Sequence, residues 1–174
     1  MKKFSLIILI FFLTIKISFA NTYNADPKIF VTELVNDAIS KLSDKNISKE
    51  EKALFIEKIA IENVDIDALG LYTLGELRKT SNEDALKKYK KSFEKYFLKS
   101  LTSRLTDYSS NKFEVISAEK KSSNYTIVKS KIVGDNQPEI KINWRIFTKN
   151  SEKPLIRDLI VEGLSLARTQ KEEF

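Results

Sequence analysis

Chemistry in this sequence has to come from carboxylates, hydroxyls and lysines. Its 174 residues contain no cysteine and no histidine. That removes thiolate nucleophiles, disulfides and Cys-type zinc sites. It also removes Ser-His-Asp triads and the commonest neutral-pH general base. The carboxylate pairs Glu50/Glu51, Asp65/Asp67 and Glu172/Glu173 remain. The first two sit where helices begin, and negative charge there complements the helix macrodipole. The third lies at the end of the sequence and reads as solvated. Four scattered glycines form neither G-x-x-x-x-G-K-[ST] nor G-x-G-x-x-G, so no phosphate-cradling loop is available. The expectation is no catalysis, no metal and no cofactor.

The second chemical feature is a run of lysines at 87, 88, 90, 91, 95 and 99, interleaved with Tyr89, Phe93, Tyr96 and Phe97. Lysines with aromatics can track a nucleic-acid strand when the rings are free to stack on bases. Here most of the rings fall on the apolar stripe of one helix and are expected to be buried, so nucleic acid is not an expected partner. The lysines read as one solvated face of that helix.

The formal net charge of +6 also shrinks on inspection. Met1-Lys2-Lys3 is a positive n-region, Phe4 to Leu13 is almost unbroken apolar sequence, and Ser18-Phe19-Ala20 offers small residues at positions −3 and −1 of a cleavage site. This is the three-part pattern of a secretory signal peptide. Lys16 interrupts the apolar run before it reaches the ~20 residues of a membrane span. Cleavage is expected after Ala20, leaving one domain over residues 21–174. Losing Lys2, Lys3 and Lys16 leaves 27 basic against 24 acidic residues, or +3. A secreted domain without disulfides fits a bacterial periplasm and must draw its stability from core burial.

The elements that hold these residues change period midway. Asp26-Pro27 is an N-cap followed by proline at the first helical position. Phe30, Leu34, Ala38 and Leu42 then share a helix face, with Val31 and Val35 beside them. Ser48 to Glu51 has capping-box spacing, opening a helix with Leu54, Phe55 and Ile59 on its apolar face. Asp65-Ile66-Asp67 opens a short helix through Tyr72, and Ser81 to Asp84 opens a long one bearing Leu86, Tyr89, Phe93, Phe97, Leu101, Leu105 and Tyr108. From Phe113 the period is two. Phe113, Val115 and Ser117 share one strand face; Thr126, Val128, Ser130 and Ile132 share another. After the turn residues Gly134-Asp135-Asn136, Ile140, Ile142, Trp144 and Ile146 alternate with polar positions, and Leu155 to Val161 forms a fourth strand. Gly163-Leu164-Ser165 then leads into a final helical stretch. The expected fold is α+β, with N-terminal helices packed on one face of a four-stranded antiparallel sheet.

Several blocks together resemble the MlaC family, periplasmic phospholipid-binding proteins also called toluene-tolerance proteins. They are Asp26-Pro27-x-x-Phe30-Val31; Val64-Asp65-Ile66-Asp67-Ala68-Leu69; Leu74-Gly75-x-x-Arg78-Lys79-Thr80-Ser81 with the long helix; Trp144-Arg145; and Ile156-Arg157-Asp158-Leu159-Ile160-Val161-Glu162-Gly163-Leu164-Ser165-Leu166. The last is the most specific, because D-x-x-x-E-G-x-S is not a generic joint between a strand and a helix. Two departures stand out. Lys153-Pro154 occupies a place where the family tends to have an aromatic, and family members usually continue beyond the segment matching Leu166–Phe174.

The resemblance implies a carrier that holds a phospholipid with its acyl chains in an apolar cavity between helices and sheet. It implies as partners an inner-membrane MCE-domain ABC transporter complex and an outer-membrane lipoprotein–porin complex, in a system that maintains outer-membrane lipid asymmetry. Facing helix and strand positions nominate the wall as Phe30, Leu34, Phe55, Leu69, Leu74, Phe93, Phe97, Val128, Ile132, Ile142, Trp144, Leu159 and Val161. Asp158, Glu162 and Ser165 read as fixing a backbone joint, with Gly163 supplying an unusual backbone angle. The competing expectation is a periplasmic protein–protein adaptor whose core is packed and lipid-free.

Overall fold

Asp26 starts the first helix as its residue type predicts. Its carboxylate accepts from the amides of Lys28 and Ile29 at 2.9 and 3.0 Å, satisfying two N–H groups left over by the first turn. The computed structural model describes residues 23–106, 112–133 and 138–173. The leader, Tyr108 and the Gly134-Asp135-Asn136 turn lie outside the described residues. Helix α1 (Pro27–Ser43) buries Phe30, Val31, Leu34 and Leu42. Helix α2 (Lys49–Asn63) begins with the expected capping box, in which Glu51 N donates to Ser48 Oγ and Ser48 N to the Glu51 carboxylate. Its buried stripe is Ile56, Ala60 and Asn63. Leu54 lies nearly opposite that stripe on a 3.6-residue helix and is 66% exposed, which corrects its expected place on the apolar face.

Asp65 caps α3 (Ile66–Thr73) by accepting from Ala68 N at 3.2 Å. A one-turn helix, α4 (Leu77–Thr80), follows; four residues are too few to show a period in sequence. The long helix α5 (Glu83–Leu105) is capped by Asn82, which accepts from Ala85 N at 2.8 Å. The expected start at Ser81 is therefore one residue early.

Strands β1 (Lys112–Ser122), β2 (Tyr125–Val133), β3 (Ile140–Phe147) and β4 (Leu155–Val161) pair in sequence order, each antiparallel to the next. The sheet has a fifth strand, β5 (Leu164–Ser165), where a direct passage into helix was expected. Glu162 at φ 48° and Gly163 at φ 85° form a two-residue turn with both central residues in the left-handed region, the geometry that folds a tight hairpin. Glu162 is held there by the backbone of Lys141: its amide donates to Lys141 O at 3.0 Å, and its carboxylate accepts from Lys141 N. Helix α6 (Leu166–Glu173) follows at once.

Helix α1 packs against β1 and β2, α2 and α3 each pack on α5, and α3 and α6 meet one another and β4. The result is two apolar clusters. The sheet-side cluster contains Phe30, Val31, Leu34, Val128, Trp144, Ile146 and Ile156. The helical cluster contains Ala60, Ile66, Leu69, Phe93, Leu98 and Ala167. Val64 packs against both.

Candidate functional site

The thirteen nominated residues divide between these clusters. Phe30, Leu34, Val128 and Trp144 are buried in the sheet-side cluster, with Ile142 and Leu159 packed against it. Leu69 and Phe93 are buried in the helical cluster, and Phe97 stacks on Phe93 at 6.2 Å between ring centroids. Phe55, Leu74, Ile132 and Val161 are half-buried and belong to neither. Two surface grooves lie on the helical side. One of about 410 Å³ runs between α2 and α5 past Glu57, Glu94 and Leu98, and one of about 240 Å³ lies around Ile61, Asp65 and Lys153. None of the thirteen lines either groove.

The sheet-side cluster has one polar fixture that the sequence reading missed. The Trp144 indole N–H donates to Ser130 Oγ at 2.8 Å, and that hydroxyl donates to Ile142 O at 3.1 Å. Both residues are buried, so each polar group has a partner where an unmet one would cost about 1–3 kcal/mol. The signal was present: Ser130 is a serine on the otherwise apolar Val128–Ile132 face, diagonal to the sequence's one tryptophan across the β2–β3 ladder. Phe113 meets the same indole edge-on at 6.2 Å.

Two of the named carboxylates, Asp65 and Asp67, hold elements together. Asp65 caps α3 and also accepts from Arg157 Nε at 2.7 Å, while Arg157 Nη1 donates to the Tyr125 hydroxyl at 2.6 Å. The guanidinium lies 3.5 Å from the centroid of the Phe147 ring. Burial alone would lower the pKa of Arg157, but the Tyr125 hydroxyl and the Asp65 carboxylate outweigh it and raise it. Val64 forms a parallel bridge with Ile156, and Asp65 N donates to Ile156 O at 2.9 Å. The α2–α3 corner is thus fastened to the start of β4 beside the point where the two clusters meet. Asp67 pairs with Lys90 at 2.7 Å. Among the described residues no three acidic side chains converge in a way that could hold a metal.

The Asp158–Ser165 segment explains its unusual spelling. Buried Asp158 accepts from Ser165 Oγ at 2.6 Å and from Ala167 N at 3.0 Å. Ser165 Oγ in turn accepts from Arg168 N at 3.1 Å. The aspartate satisfies the first turn of α6, the serine caps it, and Glu162-Gly163 makes the turn that brings both into reach.

Comparison with known proteins fits this geometry. The family model described as MlaC protein matches residues 32–174, taking in the helical cluster, all of the sheet-side cluster but Phe30 and Val31, the Arg157–Asp65 corner and the closing hairpin. No curated protein matches the sequence. A phospholipid-binding protein from Ralstonia solanacearum, solved in complex with a phospholipid, shares the fold with a TM-score of 0.68. It is 13% identical, and the alignment covers 87% of this chain and 85% of the other. A match running through nearly every element built above makes the chain a member of the MlaC family.

Proposed function

We propose that this protein is a periplasmic phospholipid carrier. The family match over residues 32–174 carries the reading, because it spans the helical cluster and most of the sheet-side one. The phospholipid-bound neighbour of the same fold supports the ligand class. The physical need is clear: each acyl CH₂ in water costs about 0.8 kcal/mol, so two chains totalling about thirty methylenes cost on the order of 20 kcal/mol. A carrier replaces the membrane with an apolar cavity, leaving the head group in solvent.

In this reading the acyl chains lie between the sheet's inner face and the helical layer, entering at the seam around Val64. Phe30, Leu34, Val128, Ile142, Trp144 and Leu159 line the sheet side, and Leu69, Phe93 and Phe97 the helical side. Phe55, Leu74, Ile132 and Val161, half-buried and outside both clusters, are assigned to the cavity's margin. Residues 1–20 direct export and are removed after Ala20. The carrier exchanges lipid with an inner-membrane MCE-domain ABC transporter complex and an outer-membrane lipoprotein–porin complex, in the service of outer-membrane lipid asymmetry.

The test is organic extraction of the protein recovered after expression of the full chain, followed by mass spectrometry. Phospholipid in stoichiometric amount is the expected result. Lipid-free protein with a cooperative melt would overturn the reading in favour of an adaptor with a packed core. Substitution separates the two further. Val161→Lys is expected to abolish lipid retention while leaving a cooperative melt, whereas Val128→Lys, at a fully buried position, is expected to prevent folding.

A further inference from the structure

Helix α5 carries seven basic side chains against three acidic ones, a net of +4. Residues 21–174 as a whole have 27 against 24, so the rest of that segment is slightly negative. Within the helix, Lys87, Lys88, Lys91, Lys95 and Lys99 fall in a sector of about 120° on a 3.6-residue wheel, facing away from buried Phe93. All five are exposed, and none has a hydrogen bond or ion pair among the described residues. The remaining lysine, Lys90, lies outside the sector and pairs with Asp67. Asp84 and buried Leu98 also fall within the sector, Glu94 stands at its margin, and Lys95 and Lys99 border the groove between α2 and α5 that Glu57 and Leu98 line.

We propose that this lysine face adsorbs the protein to anionic phospholipid bilayers. The choice of cation points to a diffuse surface. The sector holds no arginine, the residue that makes rigid bidentate contacts, and lysine is depleted from protein–protein interfaces. Five flexible, hydrated ammonium groups spread over about 18 Å of helix match a plane of phosphate head groups. Tyr96, 42% exposed, borders the stripe with the amphipathic ring that favours the head-group level. The apolar side of α5 is already committed to the helical cluster, and no helix among the described residues is long and apolar enough to cross a membrane. Contact is therefore by surface adsorption and sensitive to salt. This inference does not depend on whether the protein carries lipid.

The experiment is cosedimentation of the protein, purified after full-chain expression, with vesicles rich in phosphatidylglycerol or made of phosphatidylcholine alone. The readout is protein in the pellet, which requires no lipid to be extracted. Binding to the anionic vesicles at low salt, release at high salt and no binding to the neutral ones are expected. Replacing all five lysines by glutamine should weaken binding at least about tenfold. Replacing five exposed lysines elsewhere (Lys28, Lys41, Lys45, Lys58 and Lys120) should change it by no more than about twofold, since charges remote from the surface are screened. Circular dichroism checks folding, and the pair Lys91→Gln/Lys95→Gln gives the same comparison at smaller amplitude if the fivefold variant is unstable. Failure of the unmodified protein to bind anionic vesicles would overturn the proposal. So would equal losses in the two fivefold variants, or stripe-dependent binding to an acidic protein without vesicle binding.

Discussion

On the sheet side of Val64, Val31, Val128 and Ile146 are fully buried, and exposure in the cluster rises to 8% at Trp144; on the helical side no member is fully buried, and exposure runs from 2% at Ala60 to 9% at Leu98. Four members of the first set, Val128, Trp144, Ile146 and Ile156, sit on strand ladders that fix their spacing and face, α1 lays Phe30, Val31 and Leu34 against them, and Trp144 is pinned through Ser130 to Ile142 O. The second collects side chains from four helices, with no ladder connecting them. Local opening starts where few contacts are fully buried. The comparison therefore makes the sheet with α1 the fixed wall and the remaining helices the yielding one, an asymmetry that the proposed carrier would use to admit and release lipid.

The largest difference should come from truncating one residue on each side. Ile146→Ala removes a fully buried side chain from the fixed wall and is expected to cost about 3–5 kcal/mol, read as a lower denaturant midpoint with loss of amide protection throughout the sheet. Leu98→Ala should cost about 2 kcal/mol, because Leu98 borders the groove between α2 and α5 and its removal leaves less enclosed void. Equal costs would erase the distinction between the two walls.

Much of this was readable in advance, for reasons that differ by element. Asp26-Pro27 and Ser48-x-x-Glu51 are local devices, so both helix starts were legible. The period of two in Thr126–Ile132 and Ile140–Ile146 gave strands whose inner faces are those observed, except that Ile140 at the end of β3 is exposed. Leu54 was misplaced because Leu54, Phe55 and Ile59 are all apolar, and only the partner helix decides which stripe is buried. β5 was missed because two residues carry no period; its existence rests on the positive φ of Glu162 and Gly163 and on a carboxylate reaching across to Lys141. The Arg157–Asp65 contact joins residues 92 positions apart, and nothing in either segment alone announces it. The division of nominated residues between two clusters was invisible for the same reason: apolarity marks a position as buried without saying with what.

A smaller effect tests the tightness of the helical side where it is closest. A Cβ added at Gly70 would lie 2.9 Å from Phe93 Cδ1, so the ring must move. Gly70→Ala is expected to cost about 1–3 kcal/mol by overpacking, and Phe93→Leu in the same chain should recover part of it. A yielding wall absorbs the methyl with protection lost only in α3 and α5 by hydrogen exchange. Ser130→Ala probes the opposite wall at about 1–2 kcal/mol, leaving the Trp144 N–H buried without an acceptor. Because that wall is fixed, the loss should appear as a uniform drop in stability across β2, β3 and α1.

The smallest effect should fall at the joint between the walls. Arg157 and Asp65 are 27 and 17% exposed, so water screens part of their attraction, and a double-mutant cycle with Arg157→Gln and Asp65→Asn is expected to give a coupling of about 1 kcal/mol. Its distribution matters more than its size. Asp65 belongs to the helical side as the cap of α3, and Arg157 to the sheet side through Tyr125 and Phe147. Cutting the contact removes a constraint between walls while leaving each wall's own burial intact. Hydrogen exchange should therefore speed up in α2 and α3 but remain unchanged in β2 and β3. Faster exchange on both sides would show that the walls open as one unit, and that the difference in burial between them has no counterpart in their motion.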